Sequence, residues 1–185
     1  MPHISFSELK NWNTCPHYHK LVNIDKIKLF RGNEYTAFGT ALHEVAEQKL
    51  LDSSVNEVQL FELSFLEELK KLPQDVVSAL DRKRIEDMRV SGKTLSPKII
   101  PALNEYFESG YEVLKTEEDL MVDIEEHEDY KFKGFIDLVV KTPDGRIHII
   151  DWKTCSWGWD SRKKTDPMTN YQLTYYKNYF AKKHN

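Results

Sequence analysis

Two carboxylates near the C-terminus lie where strands normally hold apolar side chains. Asp137 interrupts the apolar run of residues 134–140, and Asp151 closes the apolar run that begins at residue 147. A buried carboxylate is unfavourable unless it is paired or bound to a metal ion. Lys153 follows at the i+2 spacing that puts two side chains on one face of a strand. The three residues therefore form a candidate site of two carboxylates and one ammonium group.

These residue types are suited to the hydrolysis of a phosphodiester bond. Carboxylate oxygens are the ligands that Mg²⁺ and Mn²⁺ prefer, and a bound ion polarises a phosphate oxygen and activates a water molecule. A lysine beside it can orient that water or stabilise the negative charge of the transition state. The alternative is a structural Asp–Lys pair at the end of a strand. That alternative suits a single pair, but Asp137 on one strand and Asp151 with Lys153 on the next favour a catalytic site.

A hairpin is needed to bring the two carboxylates together, and the residues between them predict one. Asp144-Gly145 is a typical hairpin turn, so residues 130–141 and 147–152 are expected to pair as neighbouring strands. Asp137 and Asp151 then lie roughly opposite each other across the hairpin.

The apolar periodicity of the rest of the chain predicts helices before this hairpin and one helix after it. Pro16 interrupts the first helix, and Pro97 fits the first turn of another. A strand is expected within residues 111–126, and residues 157–170 are expected to form a loop. The expected helices are residues 5–21, 37–51, 55–72, 75–90, 96–108 and 171–183.

Length and composition indicate one domain in a reducing compartment. We expect a single domain over residues 1–185, mainly helical over 1–110, with a catalytic sheet and a closing helix over 111–185. No apolar run is long enough to span a bilayer, and the N-terminus lacks the features of a signal peptide. Cys15 and Cys155 are the only cysteines, which favours a cytoplasmic protein. The net charge of −4 is unlike that of a simple nucleic-acid binder but leaves room for local basic sites.

The candidate site resembles a known active-site hairpin. Residues 134–137 (Gly-Phe-Ile-Asp) and 150–154 (Ile-Asp-Trp-Lys-Thr) resemble that of the PD-(D/E)XK nuclease superfamily. More narrowly, the chain resembles the RecB-like exonuclease branch, because residues 5–16, 38–43 and 172–176 resemble three further motifs of that branch in the expected order. The resemblance implies a restriction-endonuclease-like α/β core, with a central mixed β-sheet flanked by α-helices and a helical N-terminal half.

The resemblance also implies roles for residues outside the hairpin. His43 would bind the metal ion, although a histidine beside an apolar stripe is otherwise more often a core residue. Gln172 and Tyr176 would pack at the site and contact the DNA backbone, whereas their alternative role is plain helix packing. The family often has an acid on the preceding strand, for which Glu125 is our first candidate. We also expect the backbone carbonyl of Trp152 to be a metal ligand.

The cysteines argue against an iron–sulfur cluster. Some RecB-like nucleases hold one with a cysteine in an N-terminal Cys-Pro pair and three more after the C-terminal helix. Cys15 matches the first position, but the other three are absent, and four thiolates are the usual requirement. Cys155 lies just past Lys153, which is the wrong place. We therefore expect Mg²⁺ or Mn²⁺ as the cofactor and no cluster.

The segment after Lys153 combines two indoles with three cations, which suits a single DNA strand because rings stack on bases and cations meet phosphates. The alternative is a core tryptophan followed by a solvated charge run. A second basic run over residues 82–93 is more often a solvated helix face. The expected DNA-binding residues are Trp157, Trp159, Arg162, Lys163 and Lys164.

The resemblance implies a DNA exonuclease that acts at ends or on single strands, in recombination, repair or phage DNA processing. A recombination or helicase protein is a possible partner, and a phage protein would act in the host cytoplasm. The alternative activity is a structure-selective or restriction-like endonuclease. An alternative of another class is a catalytically silent DNA-binding module, but the presence of Asp137, Asp151 and Lys153 together argues against it.

Overall fold

The computed structural model describes residues 2–125, 127–155, 158 and 160–184, with the side chains of Glu128 and Lys163 excepted. Within these ranges no helix is long and apolar enough to cross a membrane. The chain divides into two compact units. The first comprises Met1–Leu29, Glu117–Val139 and Ile147–Asn185, and the second comprises Phe30–Thr116 and Val140–Arg146. Each unit therefore joins stretches that are distant in sequence, and the single domain over residues 1–185 stays a prediction.

The expected fold class, an α/β fold with a central mixed sheet flanked by helices, is confirmed. Four strands and nine α-helices are formed by the residues that the structure describes, with one π-helical turn (Lys20–Ile24) and one 3₁₀ turn (Ser96–Lys98). In chain order they are β1 (His3–Ser5), α1 (Phe6–Thr14), α2 (Pro16–His19), α3 (Glu34–Leu51), α4 (Glu57–Lys71), α5 (Gln74–Ser78), α6 (Arg82–Leu95), α7 (Ile99–Tyr106), β2 (Glu112–Ile124), β3 (His127–Lys141), β4 (Ile147–Ile150), α8 (Ser161–Thr165) and α9 (Pro167–His184).

The central strand of the sheet is β3, which pairs with each of the other three strands. The pairing of β3 with β4 confirms the expected hairpin. The pairing with β1 is parallel, with His3 opposite Lys131 and Ser5 opposite Lys133. The sequence did not predict β1, because three residues are too few for an alternating pattern and the pairing partner is far along the chain. The expected helix over residues 5–21 therefore follows a short strand.

The helix α1 begins and ends for local reasons. Ser5 caps it, since the Ser5 hydroxyl accepts a hydrogen bond from the backbone N–H of Glu8 at 3.2 Å. It ends at Thr14 because Cys15 is extended and precedes Pro16, which opens α2. The expected break at Cys15-Pro16 is confirmed.

Aromatic side chains hold α9 against β3 in the first unit. The Phe132 ring of β3 stacks on Tyr179 and Tyr175 of α9, with centroid distances of 4.1 and 5.7 Å. Tyr176 and Phe180 are buried on the same helix. Such stacked pairs add roughly 0.5–1.5 kcal/mol each beyond the burial of their area. These contacts fix the position of the helix that carries Gln172 and Tyr176.

The second unit has its own apolar core. Phe61 and Phe65 of α4 are buried against apolar residues of α3, including Ala41 and Val45. The helix α6 approaches this core closely at Gly92, where a Cβ atom would lie 1.9 Å from the Phe61 ring. The core thus depends on a residue without a side chain at that position.

Three further expected segments differ from the structure, and each difference has a local cause. The expected helix over residues 75–90 is two helices, because the Asp81 carboxylate accepts from the N–H of Lys83 at 2.9 Å and starts α6 anew. The expected loop over residues 157–170 contains α8 and the start of α9, where Asp166 accepts from the N–H of Met168 at 3.0 Å. The strand β4 ends at Ile150, before Asp151.

Candidate active site

Asp137 is held at the hairpin by a backbone donor. It lies on β3 between the buried side chains of Ile136 and Leu138, and its own side chain is half-buried. The backbone N–H of Trp152 donates to Asp137 Oδ2 at 2.5 Å. The segment after β4 therefore lies directly beside Asp137, as the predicted hairpin required. The role of the Trp152 carbonyl as a metal ligand stays a prediction.

Asp151 has two polar partners near the end of β4. Its Oδ2 lies 2.5 Å from Lys153 Nζ, and its Oδ1 accepts from Gln172 Nε2 at 3.1 Å. The Asp151 side chain is only 10% exposed, so such partners are needed to offset the loss of hydration. Because β4 ends at Ile150, Asp151 and Lys153 do not share a strand face; the ion pair brings them together instead.

Gln172 and Tyr176 of α9 join this group of charges. Gln172 Nε2 also lies 3.1 Å from Tyr176 Oη. Tyr176 is buried, and burial raises the pKa of its hydroxyl above the ordinary value, with the negative charges of Asp151 and Asp137 adding to the rise. The hydroxyl is therefore protonated at neutral pH.

Gly134 allows α9 to come this close to β3. A Cβ atom at Gly134 would lie 2.8 Å from Cε1 of Tyr176 and 3.2 Å from Cε1 of Phe132. Any side chain there would therefore push against both rings. This steric requirement explains the glycine in the motif over residues 134–137.

Glu117 is a candidate site residue that the sequence analysis missed. A carboxylate oxygen of Glu117 lies within 4.8 Å of one of Asp137. Glu117 has a φ of 48° inside β2, a left-handed conformation that is uncommon for residues other than glycine. Such a conformation costs free energy and persists only where the surrounding structure offsets that cost, and residues of this kind cluster at functional sites. The sequence signal was the acidic run of residues 117–119, which does not fit strand alternation.

The two carboxylates of Glu117 and Asp137 fit a divalent cation. Oxygen ligands lie about 2.0–2.6 Å from Mg²⁺ or Ca²⁺, so two ligands of one ion are at most about 5 Å apart. The observed separation is within this limit. Glu125, by contrast, lies in the turn after β2, where it pairs with Lys182 at 3.1 Å and its side chain is 83% exposed. The structure thus brings Glu117 rather than Glu125 to Asp137.

The other predicted site residues lie in several places. His43 is half-buried on α3 of the second unit, and its role as a metal ligand stays a prediction. Arg162 and Lys164 are exposed on α8, where Arg162 pairs with Asp160 at 3.3 Å. Trp157, Trp159 and the side chain of Lys163 are outside the described residues.

The second basic run, over residues 82–93, is largely neutralised within its own unit. Arg84 pairs with Glu34, and Lys93 pairs with Glu62 at 3.1 Å. Arg89 forms ion pairs as well. These charges are therefore less available to a polyanion than unpaired lysines would be.

Comparison with known proteins identifies the family. The family model of the PD-(D/E)XK nuclease superfamily matches residues 3–185, which includes every site residue named above. No curated protein matches the chain.

Proposed function

Because the chain belongs to the PD-(D/E)XK nuclease superfamily, a family of metal-dependent nucleases, we propose that it is a RecB-like DNA exonuclease that uses Mg²⁺ or Mn²⁺. The observation that carries the proposal is the arrangement of Asp137, Asp151 and Lys153 beside Gln172 in the first unit. The family makes the chain a nuclease. DNA as the substrate, the choice of metal and the attack at strand ends are the parts that we propose.

Glu117, Asp137 and Asp151 are the residues that would hold the metal ion. Carboxylates of this kind suit a hard cation, which when bound polarises a phosphate oxygen and acidifies a water molecule. On the resemblance of residues 38–43, we include His43 as a further ligand. A metal titration tests this: His43→Ala should need a higher metal concentration for half-maximal cleavage, and an unchanged titration curve would remove His43 from the set.

The protein's own residues position and neutralise the reacting groups. The oxygen of water forms a bond to phosphorus as the bond to the leaving oxygen breaks. The water gives up one proton, and the leaving oxygen takes one up. The Lys153 ammonium, which pairs with Asp151 and is 41% exposed, would stabilise the negative charge that develops on the phosphoryl oxygens. Gln172 holds one oxygen of Asp151, and the Trp152 N–H holds one oxygen of Asp137, so both carboxylates keep their orientation.

The contacts of Gln172 support the RecB-like assignment. This residue belongs to the motif over residues 172–176, and it bridges Asp151 and Tyr176 rather than only packing against a neighbouring helix. We therefore propose action on DNA ends or single strands, in recombination, repair or phage DNA processing. A recombination or helicase protein as partner and a cytoplasmic location belong to the same proposal.

Linear and covalently closed circular DNA of the same sequence distinguish an exonuclease from an endonuclease. With Mg²⁺ or Mn²⁺, we expect release of nucleotides or short fragments from the linear DNA and an intact closed circle. Excess EDTA should abolish the release, and a linear RNA of the same sequence reports the sugar preference. Efficient cutting of the closed circle would overturn the exonuclease and favour the structure-selective or restriction-like endonuclease.

A further inference from the structure

A cavity of about 480 Å³ opens beside Lys153, Gln172 and Tyr176. All of its described lining residues belong to the first unit. Pockets that bind small molecules measure about 300–1,000 Å³. The cavity therefore has room for a group of the size of a nucleotide, next to the candidate active site.

The charge of this cavity is opposite to that of the whole chain. Among the described residues that line it are Lys10, Lys133 and Lys153, and none of them is acidic. The chain as a whole carries a net charge of −4, so the composition does not account for this lining. Lys153 pairs with Asp151, whereas Lys10 and Lys133 form no ion pair with any described residue. Two ammonium groups without a counter-charge among the described side chains favour an anionic occupant.

The fold fixes the positions of these lysines. The parallel pairing of β1 with β3 places Ser5 opposite Lys133, and Ser5 also caps α1, which carries Lys10 one turn further on. The hydroxyls of Ser5 and Ser7 line the same cavity and lie 2.9 Å apart. Hydroxyl groups and ammonium groups together are the usual partners of phosphate oxygens.

An exposed aromatic side chain completes the cavity. Phe135 is 47% exposed and lines it, and Lys133 Nζ lies 5.6 Å from the centre of the Phe135 ring. Exposed rings beside cations are what proteins use to hold single nucleic-acid strands. On β3 residues 132, 134, 136 and 138 are buried, so Lys133, Phe135 and Asp137 share the other face.

The spacing along β3 suits a nucleic-acid strand. Lys133 and Asp137 are four residues apart, which is about 13 Å at roughly 3.3 Å per residue. A strand of DNA covers that distance in about four nucleotides at 3.4 Å per nucleotide. A nucleic-acid strand that runs along β3 and is cut at Asp137 would therefore bring a phosphate only a few nucleotides away to Lys133.

We propose that this cavity is a subsite for one phosphate group of the substrate strand, a few nucleotides from the bond that is cut. Lys10 and Lys133 neutralise the phosphate, and Phe135 stacks on the neighbouring base. The subsite deepens the proposed function and rests on it. The phosphate is either a terminal monophosphate or an internal phosphodiester, since both present the same anionic oxygens.

Binding of a fluorescent single-stranded oligonucleotide in EDTA tests the two lysines without cleavage. Lys10→Ala/Lys133→Ala should bind about tenfold more weakly, and the slope of log K against log salt should fall by about 0.7 for each phosphate that is no longer neutralised. The control is Lys70→Ala/Lys141→Ala, which removes the same charge from exposed positions outside the cavity. If the affinity and slope of the two double variants are equal, or the wild type does not bind, the subsite is overturned.

The charge-retaining variant Lys10→Arg/Lys133→Arg guards against a folding defect. It should restore the salt slope of the wild type, and circular dichroism should show the same spectrum for all variants. If the arginine variant is folded and yet has the reduced slope of the alanine variant, the lysines act through structure and the phosphate subsite is overturned.

A set of oligonucleotides that differ in their terminal phosphates distinguishes the two sources of the phosphate. Oligonucleotides with and without a terminal phosphate, at the 5′ end and at the 3′ end, are compared on the wild type. A terminal subsite predicts that removing the phosphate weakens binding as much as removing the lysines. An internal subsite predicts equal affinities, with the lysine dependence retained. Both results support the subsite.

Phe135→Leu tests the stacking separately from the charge. The variant should bind about tenfold more weakly with an unchanged salt slope, because the ring carries no charge. An unchanged affinity would overturn the role of Phe135.

The subsite and the nuclease activity can fail independently. If the wild type cleaves DNA but neither binding nor cleavage changes in the lysine variants, the subsite alone is contradicted. If binding depends on the lysines but the wild type cleaves nothing, the proposed nuclease activity alone is contradicted.

Discussion

The carboxylate of Asp151 takes part in two interactions that differ in kind. The neutral amide of Gln172 donates a hydrogen bond to one oxygen, while Lys153 brings a full positive charge to the other. The ammonium group is 41% exposed and so can face a substrate, whereas Asp151 is nearly buried. A group that is both fixed by a partner and open to the substrate is suited to stabilising charge in a transition state.

Removal of the Lys153 ammonium should therefore affect the reaction more than the binding. We expect Lys153→Ala to lower the single-turnover cleavage rate by about 10²–10³, as the loss of one stabilising donor does in other hydrolases. Oligonucleotide affinity should change by far less, because the variant loses one cation among several. Lys141→Ala is the matched control. A variant that still cuts at the wild-type rate would place the active site elsewhere.

Glu117 and Glu125 can be compared directly, since both belong to the stretch formed by β2 and the turn after it. Glu117→Gln should raise the metal concentration for half-maximal cleavage by about 10- to 100-fold, because it removes a charged oxygen beside Asp137. Glu125→Gln should behave like the wild type, because its side chain pairs with Lys182. The reverse outcome would restore Glu125 as the acid of the site.

At the scale of elements, the site depends on the contact between β3 and α9. The rings of Phe132, Tyr175 and Tyr179 hold the helix on the strand, and the absence of a side chain at Gly134 sets how closely it approaches. Tyr176 belongs to both the packing and the site, because it touches Gly134 and also bonds to Gln172. A substitution that disturbs this packing is therefore expected to disturb catalysis as well.

Gly134→Ala tests this coupling. The added methyl group overpacks the contact with Tyr176, which we expect to cost about 1–3 kcal/mol of unfolding free energy in urea denaturation. The displaced helix should also lower the cleavage rate, since Gln172 moves with it. Tyr176→Phe is the comparison, because it removes only the hydroxyl and leaves the ring. Unchanged stability and rate in Gly134→Ala would contradict the close approach.

At the scale of the molecule, the first unit is assembled from three separate stretches of chain. The C-terminal end of its last helix, α9, pairs with Glu118, a buried residue of β2. Lys183 Nζ lies 2.9 Å and His184 Nε2 lies 2.7 Å from Glu118 Oε1. Burial by itself would raise the pKa of Glu118, but these two partners outweigh it and lower the pKa below the ordinary value of 4.5.

The ion pairs of Glu118 with Lys183 and His184 predict a pH dependence of stability. Because the pKa is lower in the folded than in the unfolded protein, the contribution of Glu118 is complete above about pH 4.5 and is lost as the pH falls through the folded value. Glu118→Gln should cost about 1–3 kcal/mol of unfolding free energy at pH 7, and the difference from the wild type should shrink in acid. Glu112→Gln, at an exposed position of the same strand, is the control. If the difference in unfolding free energy between wild type and Glu118→Gln is constant with pH, the contribution of these ion pairs is contradicted.

From the sequence alone, Asp137, Asp151 and Lys153 were predicted as the centre of the site, and the hairpin that joins them was predicted with them. The hairpin is confirmed. It could be predicted because a turn and its two strands are local, so residues near in sequence indicate their pairing. The helix that carries Gln172 was equally visible, although its start was misplaced because the Asp166 cap was not recognised. Local patterns of this kind survive in the fold because they stabilise the element in which they occur.

The acid beside Asp137 and the residues beside Lys153 could be identified only from contacts between distant parts of the chain. Glu117 depends on a left-handed residue inside β2, which alternation cannot predict. The positions of Lys10 and Lys133 depend on the parallel pairing of β1 with β3, whose partners are far apart in sequence. Such contacts form when long loops close, and the residues near each partner in the sequence do not indicate which loop will close.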